Sequence, residues 1–113
     1  MKWMPGIVGL ALFSLLATAC VHHRAPARLQ GEIERFGTEY IVTQCSDGKT
    51  YQLQMIPHAF VALERNVRNV QNETGGPVLV ELGGKILPAT SDTSAEAIFE
   101  VHDRYSIQQG RCP

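Results

Sequence analysis

Histidine and serine side chains are the first candidates for catalysis in this chain, because they act as general bases and nucleophiles. The four histidines, His22, His23, His58 and His102, have no H-x-x-x-H ligand spacing. His102 precedes Asp103, but neighbouring residues of a strand point to opposite faces and do not form an acid–base pair. No serine lies in a G-x-S-x-G motif, and no glycine pair lies in a phosphate-binding loop. We therefore predict that the chain is not an enzyme and binds no cofactor, and we assign no residue as a metal ligand.

Cys20 ends an apolar N-terminal stretch. Lys2 supplies a positive charge, and Ile7–Ala17 is uncharged and mostly apolar. This run has about the 7–15 residues of a secretory signal and is too short for the roughly 20 residues of a membrane-spanning helix. The segment Leu16–Cys20 resembles a bacterial lipobox, whose cysteine is acylated before cleavage. We predict a signal peptide at 1–19 and lipidation of Cys20; ordinary signal-peptide cleavage at the same bond is the alternative.

Acylation of Cys20 would hold the protein on a membrane without crossing it, because two or more acyl chains of the palmitate type anchor stably. Val21 follows the cysteine, where an aspartate would favour retention in the inner membrane of enteric-type bacteria. We therefore expect an outer-membrane lipoprotein that faces the periplasm. Its expected partners are the lipid anchor and an unidentified envelope protein.

Cys45 and Cys112 remain for other chemistry once Cys20 is acylated. Disulfides persist in exported proteins, and an even pair without C-x-x-C spacing is typical of a structural bridge. In the chain-entropy model, closing a loop of this length stabilises a domain by ~4 kcal/mol. We predict a Cys45–Cys112 disulfide, with two free thiols or two metal ligands as the alternatives.

The mature chain is small and weakly acidic. Removing the first 19 of its 113 residues leaves 94, which suits one domain. Lys2 is one of ten Lys and Arg residues, so nine remain against 11 Asp and Glu, and the nine are scattered. Nucleic-acid binding needs a clustered positive surface. We therefore expect no nucleic-acid partner.

Residues 20–28 are interpreted as the lipidated cysteine and a polar tether, and 29–113 as one β domain. Apolar alternation and turn residues predict five strands, over 29–36, 39–45, 50–55, 78–88 and 98–107. The apolar residues Phe60, Leu63, Val67 and Val70 have helical spacing and predict a helix over about 57–71, which a Gly-Gly pair then ends.

Asp47-Gly48 is a strong hairpin signal between the second and third strands. A two-residue turn there would place Val42 opposite Leu53 on an apolar face. Three strands, a helix and two further strands is the order of the OB-fold, a five-stranded Greek-key barrel. We therefore predict a mainly β, OB-like barrel with its helix between strands three and four; an open antiparallel sheet with the helix packed on one face is the alternative.

Several short segments together resemble the C-terminal OB-like domain of NlpE-type outer-membrane lipoproteins, over residues 29–113. They are Cys45 with the following Asp47–Leu53, Gly75–Ile86, Phe99–Val101 and the terminal Gly110–Pro113. The resemblance implies a disulfide-bridged barrel module and a family linked to envelope stress signalling and copper homeostasis. Full-length members also carry an N-terminal domain with a Cys-x-x-Cys motif, which this sequence lacks, so copper binding does not follow.

Two classes of function are therefore expected. The first is a non-enzymatic envelope lipoprotein that acts as a small membrane-anchored binding or structural module linked to envelope stress. An accessory lipoprotein of a secretion system is a variant of this class. The second is a small metal (copper) or redox sensor of the envelope.

Overall fold

The computed structural model describes residues 26–113, which form five strands and one helix. Their bounds are β1 Ala27–Phe36, β2 Glu39–Gln44, β3 Thr50–Gln54, α1 Pro57–Thr74, β4 Val78–Pro88 and β5 Ala97–Gln109. The predicted order of elements is confirmed, although β1 takes in Ala27 and Arg28, which the prediction assigned to the tether. The predicted signal peptide and Cys20 lie outside the described residues. Within 26–113, α1 is not apolar enough to cross a membrane.

The strand pairings form a closed ring in the order β1-β2-β3-β5-β4. All pairs are antiparallel except β3 with β5. β1 pairs with two strands: its residues Ala27–Ile33 pair with β4, and Gly31–Phe36 pair with β2. Gly31 belongs to both ladders, and a Cβ there would overlap the carbonyl oxygen of Thr43. A glycine at this position therefore lets β2 approach β1 closely.

The register of the β2–β3 hairpin differs from the prediction. Val42 lies opposite Tyr51 rather than Leu53, a shift of two residues. Side chains alternate with a period of two, so a shift by an even number keeps each residue on its predicted face. Val42, Tyr51 and Leu53 are accordingly all buried.

The physical reason for the shift is a longer loop, over residues 45–48. The backbone N–H of Gln44 donates to the carbonyl of Lys49 at 2.8 Å, and that of Gly48 donates to the carbonyl of Gln44 at 2.8 Å. Gly48 adopts φ 75°, a left-handed conformation that favours glycine. The side chain of Asp47 accepts from the backbone N–H of Lys49 at 2.9 Å. These bonds stabilise a four-residue loop in place of the predicted two-residue turn.

Helix α1 covers one end of the core and is three residues longer than predicted. Leu63 and Val67 are buried, and Phe60 and Val70 pack against the core, as their spacing predicted. The helix ends at Gly75, which has φ 66° and donates its N–H to a carbonyl in the last turn. Glycine commonly ends helices in this conformation, so the first glycine of the pair sets the end.

Strands β4 and β5 are the longest and contain two irregularities. The register shifts between Glu81 and Leu82 and again between Gly83 and Gly84. A Cβ at Gly84 would overlap a backbone carbonyl oxygen of β5, so a glycine at this position lets β5 approach β4 closely. The enclosed core contains Leu29, Ile33, Tyr40, Val42, Tyr51, Leu53, Leu63, Val67, Val78, Val80, Leu82, Ala97 and Phe99.

Candidate binding face on strands β1, β2 and β3

The described histidines do not form a catalytic group. His58 is exposed at the start of α1. His102 is also exposed, and its Nε2 lies 2.7 Å from Glu100 Oε1 rather than pairing with Asp103. Within residues 26–113 no group of three or more His, Cys, Asp or Glu side chains could hold a metal ion. His22 and His23 lie outside the described residues.

Cys45 and Cys112 are joined by a disulfide, with their Cα atoms 5.3 Å apart and 67 positions between them in sequence. The backbone N–H of Cys45 donates to the carbonyl of Gln30 at 2.9 Å. That of Cys112 donates to the carboxylate of Glu32 at 3.1 Å. The bridge and these two bonds hold the β2–β3 loop and the C-terminal segment against β1.

Strands β1, β2 and β3 present one continuous face away from the core, here called the outer face. It consists of Glu32, Glu34, Phe36, Glu39, Ile41, Thr43, Thr50, Gln52 and Gln54. Residues that alternate with these, such as Val42 and Tyr51, are buried. Register places Glu34 opposite Ile41, and Ile41 opposite Gln52. The outer face is therefore a three-strand surface with apolar side chains among polar ones.

A groove of about 440 Å³ runs across this face. It is lined by Glu34, Phe36, Ile41, Thr43, Thr50 and Ser94. Phe36 is 55% exposed, although a phenylalanine gains most stability when it is buried. The groove therefore offers a partner apolar surface that the fold leaves uncovered, and its volume lies within the usual range for ligand clefts.

The loop between β4 and β5 forms one wall of the groove. The backbone N–H of Ser94 donates to the side-chain oxygen of Gln52 at 2.8 Å. The carboxylate of Glu96 accepts from the backbone N–H of Thr50 at 3.0 Å, and the N–H of Glu96 donates to Thr50 Oγ1 at 3.1 Å. These bonds attach the loop to β3.

The outer face is negatively charged. Its nine side chains include the three carboxylates of Glu32, Glu34 and Glu39 and no basic group. The Oε2 atom of Glu39 is buried and accepts no hydrogen bond from the described residues. The adjacent Arg35 does not compensate this charge, because its Nη1 lies 2.9 Å from Glu64 Oε2 on α1.

Asp47 adds another carboxylate beside the groove, in the β2–β3 loop. Its pKa is lowered from the ordinary value of 3.8 because the backbone N–H of Lys49 and the side chain of Gln44 donate to it. The Lys49 ammonium lies 6.0 Å from the centroid of the Tyr51 ring. At neutral pH Asp47 therefore carries a negative charge, two residues before the basic residue Lys49.

Comparison with known proteins agrees with this architecture. Residues 23–112 match the family described as the NlpE C-terminal OB domain. The chain belongs to this family. The resemblance seen in the sequence is thereby confirmed, and so is a mainly β, OB-like domain with five strands and one helix. No curated protein sequence matches the chain significantly.

The structure is similar to the crystal structure of the Cpx pathway activator NlpE from Escherichia coli, with a TM-score of 0.58 and 17% sequence identity. The similarity covers 77% of this chain and 42% of the E. coli chain. At this identity the likeness shows a shared fold. This chain therefore spans less than half of the length of that protein.

Sequence reasoning did not identify the groove. Tyr40 and Tyr51, the aromatic residues of β2 and β3, are both buried and do not line it. Phe36 could have been found, because it falls on the outward side of the β1 alternation. The place of Ser94 in the groove could not be predicted from its neighbours in sequence, because it is set by a hydrogen bond to Gln52, 42 positions away.

Proposed function

We propose that this chain is a non-enzymatic outer-membrane lipoprotein, anchored through acylated Cys20, that faces the periplasm and binds an envelope protein. Its residues 29–113 would act as an OB-type Greek-key barrel that presents the outer face to this partner. The observation that carries the proposal is the groove, in which Phe36 is 55% exposed between polar neighbours. An exposed aromatic side chain in a concave site is typical of a binding anchor.

The N-terminal sequence supports the membrane anchor. Six residues, 21–26, separate Cys20 from the first strand. An extended chain covers at most ~3.3–3.6 Å per residue, so the barrel would lie within about 20 Å of the lipid surface. A partner on the outer face would therefore be an envelope component close to that surface.

The family supports a link to envelope stress. The structurally similar E. coli protein is a Cpx pathway activator. The barrel corresponds to less than half of that protein, so we propose a role in stress signalling through partner binding, without assigning the complete activator role to this chain.

Site-specific photo-crosslinking in the producing cell tests the proposed binding role. A photoreactive amino acid at Thr43, in the groove, should give a discrete adduct whose partner mass spectrometry identifies as an envelope protein. The same probe at Arg65, exposed on α1, is the matched control and should not give that adduct. Identical adducts from both positions, or no adduct from Thr43, would contradict binding through the outer face.

A further inference from the structure

The outer face carries glutamates and no basic side chain, so it is suited to binding a positively charged partner. We infer that its occupant is an extended, cationic polypeptide segment with apolar side chains between its basic ones. The inference rests on the proposed binding role and specifies the chemistry of the partner. It is carried by the charges and the spacing of the outward side chains of β1 and β2.

Charge is the first argument. Glu32, Glu34 and Glu39 lie on the outer face, and Glu96 lies on the adjoining loop, bonded to Thr50. The basic neighbour Arg35 is paired with α1 and does not face the groove. None of these four carboxylates forms an ion pair with a basic side chain of residues 26–113, although Arg111 lines a cleft with Glu32 and Glu34. A lysine or arginine of a partner would meet these carboxylates, which attract cations and raise association rates.

Spacing is the second argument. Glu34 and Phe36 are alternate residues of β1, and Glu39 and Ile41 are alternate residues of β2. Alternate residues of a strand lie about 6.5–7 Å apart on the same face. An extended peptide has the same repeat, and its residues at every second position share one face. A peptide that carries basic and apolar residues in turn at every second position can therefore place a cation near a glutamate and an apolar side chain near Phe36 or Ile41.

The same charges disfavour other occupants of the groove. A nucleic acid would bring phosphates against Glu34 and Glu39, where charges of like sign repel. A second copy in a two-fold dimer would present the same patch to itself and bring the glutamates of both copies together. An unfolded cationic segment of another protein does not have this cost.

Peptide titration tests the inference on the full lipidated chain in detergent, labelled with ¹⁵N. The probe is a capped heptapeptide, Lys-Ser-Phe-Ser-Lys-Ser-Phe, whose lysine and phenylalanine side chains share one face when the peptide is extended. Two counterparts replace lysine by glutamate or phenylalanine by serine. We expect the lysine–phenylalanine peptide to shift the amide resonances of Ile41 and Thr43 and to bind about tenfold or more tightly than either counterpart.

Matched variants locate the site. Glu34→Lys and Phe36→Ser should each weaken binding of the lysine–phenylalanine peptide by about fivefold or more. The controls are Glu73→Lys, an exposed glutamate on α1, and Ile86→Ser, an isoleucine that is 49% exposed on β4. Both controls should retain the affinity. The amide spectrum of each variant shows whether it has folded.

The inference would be overturned if the glutamate peptide or an oligothymidylate bound at Ile41 and Thr43 more tightly than the lysine–phenylalanine peptide. It would also be overturned by concentration-dependent dimerisation through these residues, or by the absence of any peptide binding at the outer face. A specific crosslink from Thr43 would still support the proposed binding role if the peptide failed to bind. Peptide binding without any cellular crosslink would support the peptide chemistry and contradict the proposed role in the envelope.

Discussion

Arg28 stacks on the ring of Tyr105, with its guanidinium carbon 4.0 Å from the ring centroid. The same guanidinium lies 2.9 Å from the carboxylate of Glu81. Tyr105 lies where β5 shifts register against β4, and its ring covers Gly83, where a Cβ would lie 2.8 Å from the nearest ring atom. Arg28, the second residue of β1, thus contacts side chains of both β4 and β5.

Replacing Arg28 should destabilise the domain modestly. Arg28→Ala removes a cation–π contact worth ~0.5–1 kcal/mol at an exposed site and a surface ion pair worth ~0–1 kcal/mol. We expect urea denaturation to show a loss of about 1 kcal/mol. Arg65→Ala, on the exposed side of α1, is the control and should change the free energy of unfolding by less than about 0.5 kcal/mol. Equal losses in the two variants would show that the stack contributes nothing specific.

The Cys45–Cys112 bridge should contribute a large part of the stability. The double variant Cys45→Ser/Cys112→Ser should lose about 2–5 kcal/mol, because its unfolded chain is no longer restricted by a loop that spans most of the domain. For a domain of this size, a loss of 2 kcal/mol lowers the melting temperature by at least ~8 °C. Circular dichroism during heating measures this change.

Mass spectrometry separates the bridge from the metal-ligand alternative. The native, exported protein is treated with an alkylating reagent without prior reduction. A bridge leaves Cys45 and Cys112 unmodified, whereas free thiols would take up the reagent. Metal-bound thiols would in addition give a melting temperature that rises when zinc or copper is added. Uptake of reagent by both cysteines would rule out the bridge in the native protein.

Cys20 should carry the lipid. Cells fed a clickable fatty acid should label the wild-type protein and leave Cys20→Ser unlabelled, because the acyl chains are attached at this residue. The signal peptide of the variant should also be retained or cleaved differently, which the mass of the mature chain reports. Equal labelling of the two proteins would contradict lipidation at Cys20.

Asp47 should titrate below its ordinary pKa of 3.8, since the backbone N–H of Lys49 and the side chain of Gln44 stabilise its charged form. A lowered pKa in the folded state contributes stability above the unfolded pKa. This contribution is lost as the pH falls through the folded pKa. Unfolding curves of wild type and Asp47→Ala should therefore differ at pH 6 and converge at low pH.

A direct titration provides the check on Asp47. Its carboxyl carbon resonance should have a midpoint below pH 3.8, and the amide of Lys49 should shift over the same range. A midpoint at or above 3.8 would show that the hydrogen bond to Lys49 does not stabilise the charged form in solution.

Gly31 should not tolerate a larger residue. In Gly31→Ala the new Cβ would overlap the carbonyl oxygen of Thr43, a backbone atom that cannot move aside without disturbing β2. We expect a loss of about 2–3 kcal/mol or more, in the range of overpacked cores. Gly76→Ala is the matched control, because its Cβ would meet only the flexible side chain of Gln109 at 3.2 Å. Similar losses at both glycines would contradict the close approach of β1 and β2.

Local sequence patterns predicted the elements that are specified by local chemistry. The helix was recognisable from its apolar period and from Pro57 at its first turn, and the bounds of β4 were predicted as Val78–Pro88. The Asp47-Gly48 pair predicted a hairpin but not the length of its loop. The same two residues also fit a four-residue loop, in which Gly48 donates its N–H to the carbonyl of Gln44.

The features missed by sequence reasoning depend on contacts between distant parts of the chain. The wall of the groove requires Glu96 to reach Thr50, 46 positions away. The ion pair between Arg35 and Glu64 likewise joins β1 to α1 across 29 positions. Neither contact leaves a periodic trace in the sequence, because each is decided by which elements become neighbours.

The position of β5 between β3 and β4 has a consequence for the order of folding. A chain that emerges N-terminus first, from a ribosome or a translocation channel, exposes β1 to β4 before its last strand is available. Until then β3 and β4 each keep an unpaired edge, which is a template for pairing with other chains. β5 pairs with β4 as a hairpin that starts at Pro88 and Ala97, but its pairing with β3 joins residues 46 positions apart and is therefore the slower step. Until that step, the edge of β3 remains open to other chains.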